Sequence, residues 1–174
     1  MPSPHGASPW RDPFGWVSLA CRLVLGVVLF WAGAAKLTDL EASVTAVRAF
    51  QILPFDLTRP VGYVLPVAEA LIGAAIVIGL FTRWTALIGG LFMVAFIIGL
   101  ASVWARGISI DCGCFGGGGA IAAEQALKQY PIDLARDAGL LATSAWLVWR
   151  PGRLASLDAW LFPPLDRPRT DQAA

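Results

Sequence analysis

Four apolar stretches, at 16–36, 61–81, 84–105 and 132–149, constrain the fold of this chain more than any other feature. A helix needs about 20 predominantly apolar residues to cross a hydrocarbon core about 30 Å thick. The first stretch carries one charge, Arg22, within WVSLACRLVLGVVLFWAGAA (16–35) and ends on Lys36, and the second, VGYVLPVAEALIGAAIVIGLF, carries one, Glu69. The third carries none, and the fourth opens on the polar turn IDLARDAG before its apolar run. Only Thr82 and Arg83 separate the second and third stretches, which forces a tight antiparallel hairpin. The expected fold is all-α: a four-transmembrane-helix up-down bundle occupying 16–149. With 14% charged residues, against about 25% in an ordinary soluble domain, the composition agrees with a membrane protein.

The connections extend this reading. Between the first two spans, TDLEASVTAVRAFQILP begins with a Thr38-x-x-Glu41 capping box and repeats apolar residues at Leu40, Val44, Val47 and Phe50 until Pro54. The pattern predicts an interfacial amphipathic helix between helices 1 and 2. The long connection 106–131 carries the cysteines near its start and a short helix from Ala120 to Gln129. Residues 1–15 read as a polar Pro-rich tail, and 150–174 as a surface segment followed by a disordered tail. Arg22 and the Pro-rich leader argue against a cleaved signal peptide. Small residues inside the spans, such as Gly26, Gly33 and Gly73, let helix backbones approach where lipid supplies no hydrophobic drive.

The net charge of +1, with scattered basic residues, gives no footprint for nucleic acid. The lipid bilayer is the expected partner. Arg11, Arg83, Arg150, Arg153, Arg167 and Arg169 gather on one side, and Lys36, Arg48, Arg59, Arg106 and Lys128 on the other. By the positive-inside rule the first set leans towards the cytoplasm, with both termini there and the cysteine loop outside a cell membrane.

Residues 111–119 read DCGCFGGGG. A disulfide needs Cα atoms about 4.4–6.8 Å apart, so closing a C-x-C ring demands a turned backbone. Gly113 can supply it by adopting a positive φ. Such a ring stores strain, and strained, exposed disulfides exchange readily. Cys112 and Cys114 are therefore read as a labile redox pair. Asp111 is expected to raise the thiol pKa, and Arg106 and Lys128, if near, to lower it. The glycine run is expected to keep the sulfurs accessible. Two other readings stay open: a thiolate clip for a soft metal, completed across a dimer, and two plain loop cysteines. No metal site is expected within one chain, whose lone histidine is His5. Cys21 lies ~20 Å or more from the loop and reads as packing.

Charges inside a membrane are functional candidates by default. At 1.5 Å per residue, Glu69 lies about 12 Å, and Arg136 about 6 Å, below the cysteine side, with Arg22 about 9 Å above the opposite side. Arg136 is thus the expected partner of Glu69, with Asp137 completing a cluster. A pair that only fixes helix register is the competing reading.

Together, WAGAAKL, LPVAEALIGAAIVIGLFTR, ISIDCGCFGG and LARDAGLL resemble DoxX-like membrane proteins, and specifically the methylamine utilisation protein MauE family. The resemblance implies a redox-associated, four-helix inner-membrane protein that works with a thioredoxin-like partner in maturing a disulfide-rich methylamine dehydrogenase. It implies redox exchange at Cys112 and Cys114, and roles in the bundle for Lys36, Glu69, Arg83, Arg136 and Asp137. The expected function is thiol-disulfide exchange supporting disulfide maturation of extracytoplasmic proteins. The alternatives are a non-catalytic anchor or assembly subunit for a redox partner, and a small-molecule or proton carrier using Glu69. No cofactor is expected in the chain. A quinone or other external electron acceptor is left open, as is homo-oligomerisation.

Overall fold

The structure, a computed structural model, describes residues 13–114, 117–152 and 156–161. In chain order the elements are α1 (Pro13–Leu37), α2 (Leu40–Ala49), α3 (Phe55–Ile78), α4 (Thr82–Ala105), β1 (Ile110–Asp111), β2 (Gly119–Ala120), α5 (Ala123–Trp149) and α6 (Leu157–Leu161). The all-α expectation holds apart from the small antiparallel hairpin β1–β2. Among the described residues, α1, α3 and α4 are long and apolar enough to cross a membrane. Large apolar side chains also cover their outer faces, including Val27 and Trp31 on α1, Leu71 on α3, and Leu91 and Ile98 on α4. A helix that is apolar all round belongs in lipid or in a large core.

α5 is the longest helix, at 27 residues. It begins at Ala123, before the apolar run at 132, and absorbs both the short helix expected at 120–129 and the fourth stretch. Asp133, Arg136 and Asp137 interrupt its apolar character, yet Asp133 and Asp137 turn inward and are buried. The connection from α4 is correspondingly shorter than the expected 106–131 loop. Residues 1–12 of the expected N-terminal tail, Phe115 and Gly116 of the cysteine loop, and 153–155 and 162–174 of the expected C-terminal segment and tail lie outside the described residues.

The glycines set how the helices meet. A Cβ on Gly33 would stand 2.5 Å from the Ala70 nitrogen and 2.6 Å from the Pro66 oxygen, so α1 and α3 cross backbone to backbone. A Cβ on Gly62 would stand 2.7 Å from the Val44 Cα, which brings α2 onto α3 in the same way. Leu25, Leu29, Ile76, Met93, Leu140 and Leu147 fill the central core. Leu100, Val103, Ile110, Ala126 and Tyr130 form a second core beneath the hairpin.

At the α3–α4 turn, Gly79 takes a left-handed conformation (φ +71°), and Asp158 accepts hydrogen bonds from the Phe81 and Thr82 backbone N–H groups at 2.7 and 2.8 Å. At the opposite end, the expected Thr38–Glu41 capping box does not form. Asp39 caps α2 by accepting from the Ala42 N–H at 2.9 Å, Thr38 donates to the Ala35 carbonyl, and Glu41 instead meets Tyr63 and Arg59. Asp39 is also a favoured N-cap type and stands one residue nearer the first helical turn.

Candidate functional site

The hairpin brings the two cysteines over the mouth of the bundle. Ile110 pairs with Ala120 and Asp111 with Gly119. Tyr130 of α5 locks β1 in place: its hydroxyl accepts from the Ile110 N–H and donates to the Ile108 carbonyl, both at 2.8 Å. Between the strands, Gly113 has φ +65°, the conformation expected of it, and its N–H donates to the Asp111 carboxylate at 3.0 Å. Gly118 also has a positive φ, and both glycines lie against Ala46 of α2. A Cβ at Gly113 would stand 2.8 Å from the Ala46 Cβ. The glycines thus let the hairpin tip press flat under α2, a tighter arrangement than the accessible loop expected from their sequence.

Cys112 and Cys114 are free thiols, each half-buried. The Cys114 N–H donates to the Cys112 sulfur at 3.4 Å. A hydrogen bond from the Cys114 side chain holds the Cys112 thiol below its ordinary pKa, while burial and the Asp133 charge oppose this and Arg136 assists. The same hydrogen bond and burial push the Cys114 thiol well above its ordinary value. Of the two, Cys112 is the thiol disposed to ionise, and the thiolate is the nucleophile.

Beneath them lie five buried or half-buried charged side chains. Lys36, at the end of α1, reaches inward to both carboxylate oxygens of Glu69, at 2.7 and 3.0 Å. Glu69 is 0% exposed and Lys36 8%. Arg136 binds Asp133 at 3.0 Å and Asp137 at 2.9 Å, one oxygen of each. The expected Glu69–Arg136 ion pair is therefore corrected: Lys36 takes Glu69, and Arg136 turns to carboxylates on its own helix. Positions 133, 136 and 137 share one helix face by their i, i+3, i+4 spacing, a signal that makes Asp133 the residue missed in the sequence.

A cavity of about 50 Å³ lies between α2, α3, α4 and the hairpin, with Lys36, Ser43, Phe96, Cys112, Cys114 and Asp137 among its walls. A smaller one, about 20 Å³, lies deeper and touches Lys36, Glu69, Cys114, Arg136 and Asp137. Towards the aqueous end, an open cavity of about 380 Å³ beside Thr38, Asp39 and Gly117 shares Lys36 and Ser43 with the first. The thiols thus face a chain of small spaces running from a buried charge cluster to the surface.

Other expected residues lie elsewhere. Arg83 is exposed at the start of α4, at the far end of the bundle. Arg106 donates to the carbonyls of Ser102, Phe50 and Gln51, and Lys128 pairs with exposed Glu124, so the cations acting on the thiols are Arg136, on both, and Lys36, on Cys114. Cys21 packs beside the central core.

Comparison with known proteins adds a separate line of observation. The family model for Methylamine utilisation protein MauE matches residues 14–150. The chain is 34% identical over 100 residues to the Methylamine utilization protein MauE of Paracoccus denitrificans, covering 57% of this chain and 54% of that protein. It is 34% identical over 134 residues to the protein of the same name from Methylorubrum extorquens, covering 76% and 69%. The match to the Paracoccus versutus protein is 36% identical over 100 residues, covering 57% and 54%. The matched segment therefore spans about half the length of the two Paracoccus relatives. No solved structure matches.

Proposed function

This chain belongs to the methylamine utilisation protein MauE family, and from that premise we propose that it exchanges thiols and disulfides with an extracytoplasmic protein during methylamine utilisation. The observation that carries the reading is the pair Cys112 and Cys114, in sulfur contact across one left-handed glycine and with opposed ionisation. In the reductive direction the Cys112 thiolate attacks a partner disulfide, forming a mixed disulfide and releasing one partner thiolate. Cys114 then attacks the Cys112 sulfur, closing the C-x-C disulfide and releasing the second thiolate. The oxidative direction is the reverse, and delivers a disulfide to the partner. A thioredoxin-like partner has the matching dithiol chemistry.

The same reading takes α5 as a fourth span. At 1.5 Å per residue its 27 residues extend about 40 Å, ample to cross, and its buried aspartates face the bundle instead of lipid. α2 then lies in the interface above the thiols, with the termini in the cytoplasm and the hairpin outside.

The test is capture of the mixed disulfide. Cys114→Ser holds the partner on Cys112, and Cys112→Ser holds none. If neither variant captures a partner and both restore growth on methylamine to a deletion strain, the exchange reading fails. The non-catalytic anchor then becomes the better account.

A further inference from the structure

The exchange reading needs a proton to move, since Cys114 must lose one before it can attack Cys112. Its thiol is the more reluctant of the two to ionise, so a nearby base has work to do. Arg136 donates to the Oδ1 atoms of Asp133 and Asp137. Both Oδ2 atoms are buried with no hydrogen-bond partner among the described residues, and the two aspartates are 6% and 3% exposed. A buried carboxylate oxygen with no donor is unfavourable unless it meets water or takes up a proton. Of the two, Asp137 is the one that lines both small cavities, and Cys114 lines both with it.

We propose that Asp137 is the proton acceptor for Cys114 in the step that closes the Cys112–Cys114 disulfide, and the proton donor in the reverse step. The inference rests on the thiol-exchange reading above. In the forward step the Cys114 S–H bond breaks and the proton passes to Asp137 Oδ2, directly or through one water. The freed sulfur bonds to the Cys112 sulfur, and the bond from Cys112 to the partner sulfur breaks, with its electron pair leaving on the partner thiolate. The protein dithiol is oxidised and the partner disulfide reduced.

The surroundings suit a proton that must come and go. From α5, Asp137 faces Arg136 and Asp133; from α1, Lys36; from α3, Glu69; from the hairpin, Cys112 and Cys114. α2 and α4 bring no charged group to these cavities. Lys36 is matched by Glu69, so one guanidinium faces two aspartates. The 50 Å³ cavity has room for water. Lys36 and Ser43 continue from it into the open cavity beside Asp39, which gives the proton a way to the aqueous face.

The test uses the reduced full-length protein in lipid nanodiscs, in a Cys21→Ala background, mixed with one molar equivalent of 2,2′-dithiodipyridine. Released pyridine-2-thione is followed by absorbance. The first equivalent reports attack by Cys112, and the second reports resolution by Cys114. Asp137→Asn is expected to leave the first phase unchanged and to slow the second on the order of 100-fold, the scale of a lost general base. The second phase should then rise about tenfold per pH unit, as it must when the thiol ionises unaided, against a shallower rise in the parent. Asp137→Glu should restore both the rate and the shallow slope.

Equal second phases in the Asn variant and the parent overturn the proposal while leaving thiol exchange standing. So does a tenfold-per-unit slope in the parent protein, a measurement that needs no variant to fold. No first phase in the parent overturns the exchange reading itself, and the proposal with it.

Discussion

Separating Lys36 from Glu69 should be one of the most damaging changes available in this bundle, and removing both should be nearly harmless. Glu69 is fully buried and both its oxygens are within 3.0 Å of the Lys36 ammonium. Taking away one partner leaves a charge with no match in a low-dielectric interior, a loss of about 3–5 kcal/mol, whereas replacing both by apolar residues of similar volume is often neutral. The geometry also predicts an asymmetry. Lys36 ends α1 beside the open cavity at Asp39, so in Glu69→Leu its flexible stem can carry the ammonium outward. Glu69 is mid-helix and has no such exit, so Lys36→Met should fall at the upper end of the range and Glu69→Leu at the lower. The assay is reversible unfolding in mixed micelles followed by tryptophan fluorescence. At about 1.4 kcal/mol per tenfold, each single variant should shift the folding equilibrium by a factor of 10² or more, with Lys36→Met/Glu69→Leu within about tenfold of the parent. If the single losses simply add in the double variant, the two side chains are uncoupled and the ion-pair reasoning is refuted.

Alkylation with iodoacetamide, mapped by mass spectrometry across pH, should show Cys112 reacting first. Because its pKa is lowered, its rate should level off at a lower pH than that of an ordinary thiol, while Cys114 should still be climbing there. Gly113→Ala forces a Cβ into a left-handed backbone, about 1–2 kcal/mol, and against Ala46 at 2.8 Å. It should lower both the unfolding midpoint and the yield of the Cys114→Ser mixed disulfide, and Ala46→Gly should recover only part of the loss. Gly33→Ala should cost about 1–3 kcal/mol by wedging α1 from α3, whereas Gly139→Ala, whose Cβ meets nothing within 4 Å, should unfold no more easily than the parent.

Much of the architecture is legible in the sequence because lipid imposes a length and a composition at once. The stretches at 16–36, 61–81 and 84–105 correspond to α1, α3 and α4, with boundaries that differ because helices continue past the apolar run, except that α3 stops at Ile78, where left-handed Gly79 turns the chain. α3 starts at Phe55, inside what reads as a connection, since Pro54 stands just outside the helix and neither Pro60 nor Pro66 ends it. α5 is harder to read for a related reason. Its first nine residues, 123–131, are polar and end on Pro131, so they read as a short separate helix within a connection, and the continuity with the apolar run is what the sequence hides. Hydropathy reports what an element is buried in, and it is silent about whether a helix continues unbroken from one medium into the next.

The site divides along the same line. Cys112 and Cys114 with a glycine between them are recognisable because few backbones bring two such sulfurs into contact, and Gly113 adopts the conformation that requirement predicts. The partner of Glu69 was not recoverable from depth alone. A depth estimate fixes Cα positions along an axis, but a lysine side chain is long enough to undo the ranking, and one at a helix end is expected to reach outward to water. Here it reaches inward, because α2 and the hairpin close over that end and Glu69 offers a buried charge. That inward turn leaves Arg136 to the two aspartates on its own helix. Pairing Glu69 with Arg136 would have spent the guanidinium on a remote carboxylate and left Asp137 without its nearest cation. With Lys36 holding Glu69 instead, Arg136 can steady Asp137 through one oxygen while the other remains for the cavity that Cys114 shares.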